Sequence, residues 1–230
     1  MHILVINPNS TASMTRSIAV AAQTAARPGT RVTAVNPAGT PPAIQGPEDG
    51  AAALPGLFAL FEEEVLRGNG YDACIIACFD DTGLMELKGR SPIPVIGIGE
   101  AAYMTALLLG RRFSVVTTLG VSVPVLEGNI DSYGFSRRCA SVRASEVPVL
   151  ALEQDRHGSE RRIAGEIAAA IAEDRPGAIA LGCAGMADLA PRLSDEFDLP
   201  VIDGVAAAVA MAEMLGQLGL ARLGPIDPET

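Results

Sequence analysis

At 230 residues, 49% of them hydrophobic and none of them Trp, the chain is long enough for a buried core and has the composition of a helix-and-strand enzyme scaffold, which excludes a disordered or fibrous protein. A net charge of −10 without any basic cluster excludes a phosphate backbone as partner. No window reaches about 18 uninterrupted apolar residues, which argues against a membrane span, and the opening run MHILVINPNS lacks the basic leader and the length of an export signal.

Short apolar runs alternate with longer amphipathic ones, the pattern of βα units around parallel sheet. Ile3–Ile6 reads as a first strand, with Asn9-Ser10-Thr11 as a cap for a helix over Ser13–Ala26 that Pro28-Gly29 ends. A strand over Val32–Val35 leads into Asn36–Pro47, a Pro- and Gly-rich loop suited to covering a site. A helix over Glu48–Arg67, a strand over Ala73–Ala77, a strand over Val95–Ile98 and a helix over Ala101–Leu109 follow. Next come strand Phe113–Val116, helix Val125–Tyr133, strand Cys139–Val142, helix Glu160–Glu173, strands Ala178–Leu181 and Val201–Ile202, and helix Val205–Leu218. The polar tail Gly224–Thr230, with its two prolines, is expected to fray.

The chain also repeats itself. Pro94-Val95-Ile96 recurs as Pro200-Val201-Ile202, 106 residues on (200 − 94), and Ala101, Ala102, Ala106, Leu109 and Gly110 match Ala207, Ala208, Ala212, Leu215 and Gly216 at the same spacing. Upstream, Ile75-Ile76-Ala77-Cys78 aligns with Ala180-Leu181-Gly182-Cys183, 105 residues apart (183 − 78). The repeat predicts an α/β protein of two pseudo-twofold-related Rossmann-like lobes, each a mainly parallel sheet flanked by helices, with a cleft between them. Residues 1–98 plus 204–230 are assigned to the first lobe and 99–203 to the second.

Several chemistries lack their residues. His2 and His157 have no ligand-like spacing, so no metal site is expected. The one lysine, Lys88, sits in a stretch that reads as exposed and is a poor Schiff-base candidate, and no G-x-G-x-x-G follows the first strand. No cofactor is therefore expected. The four cysteines, Cys74, Cys78, Cys139 and Cys183, read as thiols of a reducing cytoplasm rather than as bridges. Cys78 and Cys183 each end an apolar run and open a polar stretch, the strand-to-helix junction where open α/β sheets bind ligands. A following helix start would supply N–H groups and favour thiolate. One such cysteine is more often a small buried hydrophobe; two at equivalent places in a repeat favour a function. Cys74 reads as core, Cys139 as structural and His157 as a surface residue.

Ile6-Asn7-Pro8-Asn9-Ser10-Thr11, Ala77-Cys78-Phe79-Asp80-Asp81-Thr82-Gly83-Leu84 and Leu181-Gly182-Cys183-Ala184-Gly185-Met186 together resemble the hydantoin and allantoin racemase branch of the aspartate/glutamate racemase superfamily. The resemblance runs from about Met1 to Leu218. It implies a cofactor-independent racemase whose two cysteines, here Cys78 and Cys183, face each other across the substrate carbon. It also implies that Asn7, Asn9 and Ser10, Phe79 and Asp80, Thr117 and Thr118, and Ala184 and Gly185 surround a small-molecule substrate. Many hydantoin racemases carry Gly-Asp-Pro after Cys-Phe, where this chain has Asp80-Asp81-Thr82; an acid there would oppose thiolate formation or cap the next helix. Another enzyme of the superfamily, such as an aspartate/glutamate racemase or a maleate isomerase, and a non-catalytic binding protein remain open on these residues. Alanine-rich helix surface such as Ala164–Ala172 leads to the expectation of a homo-oligomer.

Overall fold

The computed structural model describes residues 1–223; the tail Gly224–Thr230 lies outside the described residues. The first half runs β1 (His2–Ile6), α1 (Ala12–Ala25), β2 (Arg31–Val35), α2 (Pro47–Phe61, prolonged by a π-helical turn at Glu62–Leu66), β3 (Ala73–Ile76), α3 (Leu84–Lys88), β4 (Val95–Gly97) and α4 (Ile98–Leu108). The second runs β5 (Phe113–Thr117), α5 (Val123–Ser132), β6 (Cys139–Ala144), α6 (Ala151–Gln154), α7 (Arg156–Asp174), β7 (Ala178–Gly182), a 3₁₀ turn (Ala184–Leu189), α8 (Ala190–Phe197), β8 (Val201–Ile202) and α9 (Gly204–Gln217).

Each half builds a four-stranded parallel sheet, ordered β2-β1-β3-β4 and β6-β5-β7-β8. The repeat in the sequence is thus a repeat of topology. β3 and β7 occupy the same interior place, paired with β1 and β5 through Ile6 opposite Ile76 and Thr117 opposite Gly182. Cys78 and Cys183 follow the carboxyl ends of these two strands.

Alternation along the strands sorts the side chains onto two faces. Leu4, Ile6, Cys74 and Ile76 pack outward with Leu57 and Phe61 of α2 and Leu84 and Leu87 of α3. Val116, Ile179 and Leu181 do the same beneath Ile163 and Ile167 of α7 and Leu193 of α8. The opposite faces, Ile3, Val5 and Ile75 of one sheet and Val115, Ala178 and Ala180 of the other, join one continuous core through α1, α4, α5 and α9. Tyr103 of α4 lies fully buried there, edge-on to Phe79 and stacked on Phe113 with centroids 5.5 Å away in both cases.

The elements that differ from the sequence reading do so for local reasons. The strand read over Val95–Ile98 ends at Gly97, and Ile98 opens α4, because the Asp81 carboxylate accepts the free first-turn N–H groups of Gly99 and Glu100. Asp81 thus caps α4, and α3, the helix that follows it in the chain, has no side-chain cap. The helix read over Glu160–Glu173 begins at Arg156, where Asp155 accepts from the Gly158 N–H. α3 and α8 escape a reading by periodicity because they run only 5 and 8 residues. Lys88, read as exposed, is half-buried against Glu100 with Nζ 2.5 Å from Oε1. No described helix is long and apolar enough to cross a membrane, and no group of three His, Cys, Asp or Glu is gathered as a metal site among the described residues.

α4 and α9 touch where Gly204 meets the start of α4, so closely that a Cβ on Gly204 would overlap the Ile98 carbonyl. Asp203 anchors the same end of α9 by accepting from the N–H groups of Val205 and Ala206. Gly204→Ala should therefore destabilise the fold by about 1–3 kcal/mol through overpacking, read as a lower urea midpoint with an unchanged m-value.

Candidate active site

Cys78 and Cys183 line one cavity at the junction of the two sheets, together with Asn9, Phe79, Asp80, Thr118 and Ala184. Its volume is only about 30 Å³, room for a water or two at roughly 10–15 Å³ each. Met14, Ile44, Ser122 and Val149 also reach this cavity; the sequence offered no signal for them beyond the reading of Asn36–Pro47 as a covering loop.

That loop does cover the site. Ser10 donates its Oγ–H to the Thr40 carbonyl and Thr11 its own to Pro42, tying the loop to the β1–α1 turn. The Val149 N–H donates to Gln45 Oε1 (3.0 Å), and Ser13 of α1 donates to Glu153 of α6 (2.7 Å). Met14, Ala43 and Val149 form a small apolar cluster over this closure, with Cys183 packed against it. A larger groove of about 700 Å³ lies behind the same wall and shares Met14, Val149 and Ala184 with the cavity.

Not every residue singled out in the sequence meets the cavity. Asn7 is buried one step back, its Nδ2 donating to Asn9 Oδ1 and Thr15 Oγ1 (3.0 Å each), so it holds Asn9 in place. Ser10 is spent on the covering loop. Thr117 donates to the Gly182 carbonyl and braces the end of β7. Gly185 lies in the larger groove, and its N–H donates to the Cys183 sulfur. Cys74 is core, as its position deep in the apolar run implied, and His157 is exposed. Cys139 is half-buried and donates to the Ser141 carbonyl.

Burial dominates the electrostatics. It pushes the Cys183 thiol up to about 11, against the hydrogen bond from Gly185, with the Asp80 charge adding to the rise. Cys78 is raised further still, by burial first and the charge of Asp80 second, although Thr82 Oγ1 (3.4 Å) and the Asp80 N–H donate to its sulfur. The helix-start N–H groups expected to favour thiolate are present at Cys183 but outweighed; at Cys78 a turn, not a helix, follows. Burial also raises Asp80, to about 6, against the hydrogen bond from Ser122, and Asp81, to about 7, against those from Tyr133, Glu100 and Gly99.

The sequence matches the family described as Asp/Glu/Hydantoin racemase over residues 3–212. It is 49% identical to a hydantoin racemase of Rhizobium meliloti over 96% of this chain and 91% of that protein. Among solved structures, the allantoin racemase from Klebsiella pneumoniae superposes with a TM-score of 0.91 at 42% identity, covering 97% of this chain and 90% of that one. The allantoin racemase from Pseudomonas fluorescens gives 0.89 at 39% identity, over 97% and 94%.

Thiolate is the nucleophile, and a raised pKa leaves little of it at neutral pH. Iodoacetamide should therefore modify both cavity cysteines slowly at pH 7, and faster as pH rises toward about 11, with Cys183 ahead of Cys78. Peptide mass spectrometry across a pH series reads the order.

Proposed function

We propose that this chain, which belongs to the Asp/Glu/hydantoin racemase family, inverts the C5 stereocentre of a hydantoin-type ring, a 5-substituted hydantoin or allantoin, with Cys78 and Cys183 as its acid/base pair. The observation that carries this reading is the pair of thiols at equivalent strand ends of the two halves, lining one cavity. The names of the similar proteins supply the substrate class.

Racemisation removes a proton from one face of a carbon and delivers another to the opposite face. One thiol per sheet supplies both partners without turning the substrate over. The thiolate of one cysteine takes the C5 proton while the thiol of the other donates its own, and the next turnover starts from the mirror protonation state. The pair then shares one proton and titrates as a unit. A thiolate held out of water is a stronger base than an exposed one, which suits a weakly acidic C–H bond. Charge that develops on the C4 carbonyl oxygen needs hydrogen-bond donors. Asn9 is placed for that part: its Nδ2 is engaged only by the Met14 sulfur, at 3.8 Å, among the described residues. Thr118 adds a hydroxyl to the same wall.

We also propose a homo-oligomer. Besides the Ala164–Ala172 stretch, Leu108 of α4, Met214 of α9 and the adjoining Leu218 are 83%, 50% and 65% exposed, large apolar side chains on two helices that pack together. Light scattering at micromolar concentration should give a mass above that of one chain.

The division of labour between the thiols is open to direct test. Replacing either cysteine by serine should abolish inversion, since a hydroxyl is too weak an acid or base at this step. The surviving thiol still takes and returns a proton on its own face. Cys78→Ser should therefore exchange C5–H for deuterium in one enantiomer only, without inversion, and Cys183→Ser in the other only. NMR in D₂O on both enantiomers reads this, and exchange of both hands by either single variant would overturn the two-thiol scheme.

A further inference from the structure

We infer that Asp80 selects substrates whose C5 bears a second N–H beside the ring's own, so that an allantoin-type ureido substituent is preferred to a hydrocarbon one; the inference rests on the racemase reading above. Asp80 lines the cavity with both cysteines. The residue is pinned from the other half of the molecule, Asn129 Nδ2 donating to its carbonyl at 2.8 Å. Its carboxylate has one partner among the described residues, Ser122 Oγ at 3.4 Å from Oδ2, whereas an ionised carboxylate offers about four acceptor sites. Asp80 is only partly buried, so water meets the remaining sites until a ligand with donors displaces it.

For proton transfer alone this carboxylate is a hindrance, because its charge opposes thiolate formation at both cysteines. A ligand with N–H donors offsets that cost. The carbon between the two thiols is C5, so a carboxylate against both thiols meets the groups bonded to C5. The C4 carbonyl repels it, increasingly as the enolate forms. The ring N1–H attracts it. With a ureido nitrogen as the remaining substituent, C5 carries two neighbouring N–H groups, and one carboxylate accepts both. A hydrocarbon substituent leaves one carboxylate oxygen facing carbon. Loss of one charge-assisted hydrogen bond corresponds to roughly 10- to 100-fold in kcat/KM.

Enzyme-dependent polarimetry on enantiopure allantoin and 5-propylhydantoin tests this, with the wild-type protein, Asp80→Asn and Asp80→Ala. The wild type should prefer allantoin roughly 10- to 100-fold in kcat/KM. Both variants should bring the ratio toward one, chiefly by raising KM for allantoin, and shift the pH–rate profile to lower pH for both substrates. Equal wild-type rates on the two substrates, or an equal loss on both in the variants, would overturn the role of Asp80 and leave the racemase standing. The wild-type ratio decides even where a variant fails to fold. Turnover of neither substrate by the wild type would instead sink the racemase reading itself.

Discussion

Everything in this molecule depends on a shared core: two parallel sheets that must each be covered on both faces, and one set of helices that covers the inner faces of both. A parallel sheet left bare on one side exposes a continuous apolar surface. Here α1, α4, α5 and α9 bury Ile3, Val5 and Ile75 from one sheet and Val115, Ala178 and Ala180 from the other in the same cluster. The contact at Gly204 and Ile98 sets how near the two halves come. That distance brings the ends of β3 and β7 onto one cavity.

The architecture was legible because its signal is repeated. Apolar runs of strand length, the recurrence of Pro-Val-Ile and the matched placement of Cys78 and Cys183 all point to two equivalent halves, and the sheet orders agree. The site was legible only in part. Cys78, Cys183, Asn9, Phe79, Asp80, Thr118 and Ala184 meet in the cavity, whereas Asn7, Ser10 and Thr117 spend their polar atoms on neighbours. A motif tells which residues are near a site and not which way their side chains turn. Met14, Ile44 and Val149 were invisible for a related reason: they come from α1 and two loops, where apolar residues look the same whether they seal a cavity or a core.

The thiols show how burial overrides local backbone. A strand-to-helix junction suggests a thiolate, and Cys183 does receive the Gly185 N–H. Packing Met14, Ala43 and Val149 over the site thins the water that a thiolate needs, and that loss exceeds what one or two N–H donors return. Asp81 shows the same balance with a different outcome. It too is buried and raised, yet it has Gly99, Glu100 and Tyr133 as donors, and it serves the fold by starting α4. Two adjacent acids thus part company, one satisfied by the protein and the other turned to the cavity.

The two halves match in topology but not in chemistry: Cys78 is followed by a turn that opens on Phe79, Asp80 and Asp81, and Cys183 by a 3₁₀ turn that opens on Ala184 and Gly185. A racemase built this way presents unlike walls to the two hands of its substrate. Mirror-image molecules have equal free energies in water, so the equilibrium constant between them is one, whatever the enzyme's shape. The Haldane relation then makes kcat/KM identical in the two directions. The unequal acidities of Cys78 and Cys183 cannot bias the final mixture. They appear instead as a matched trade, in which the hand that binds more tightly turns over more slowly by the same factor.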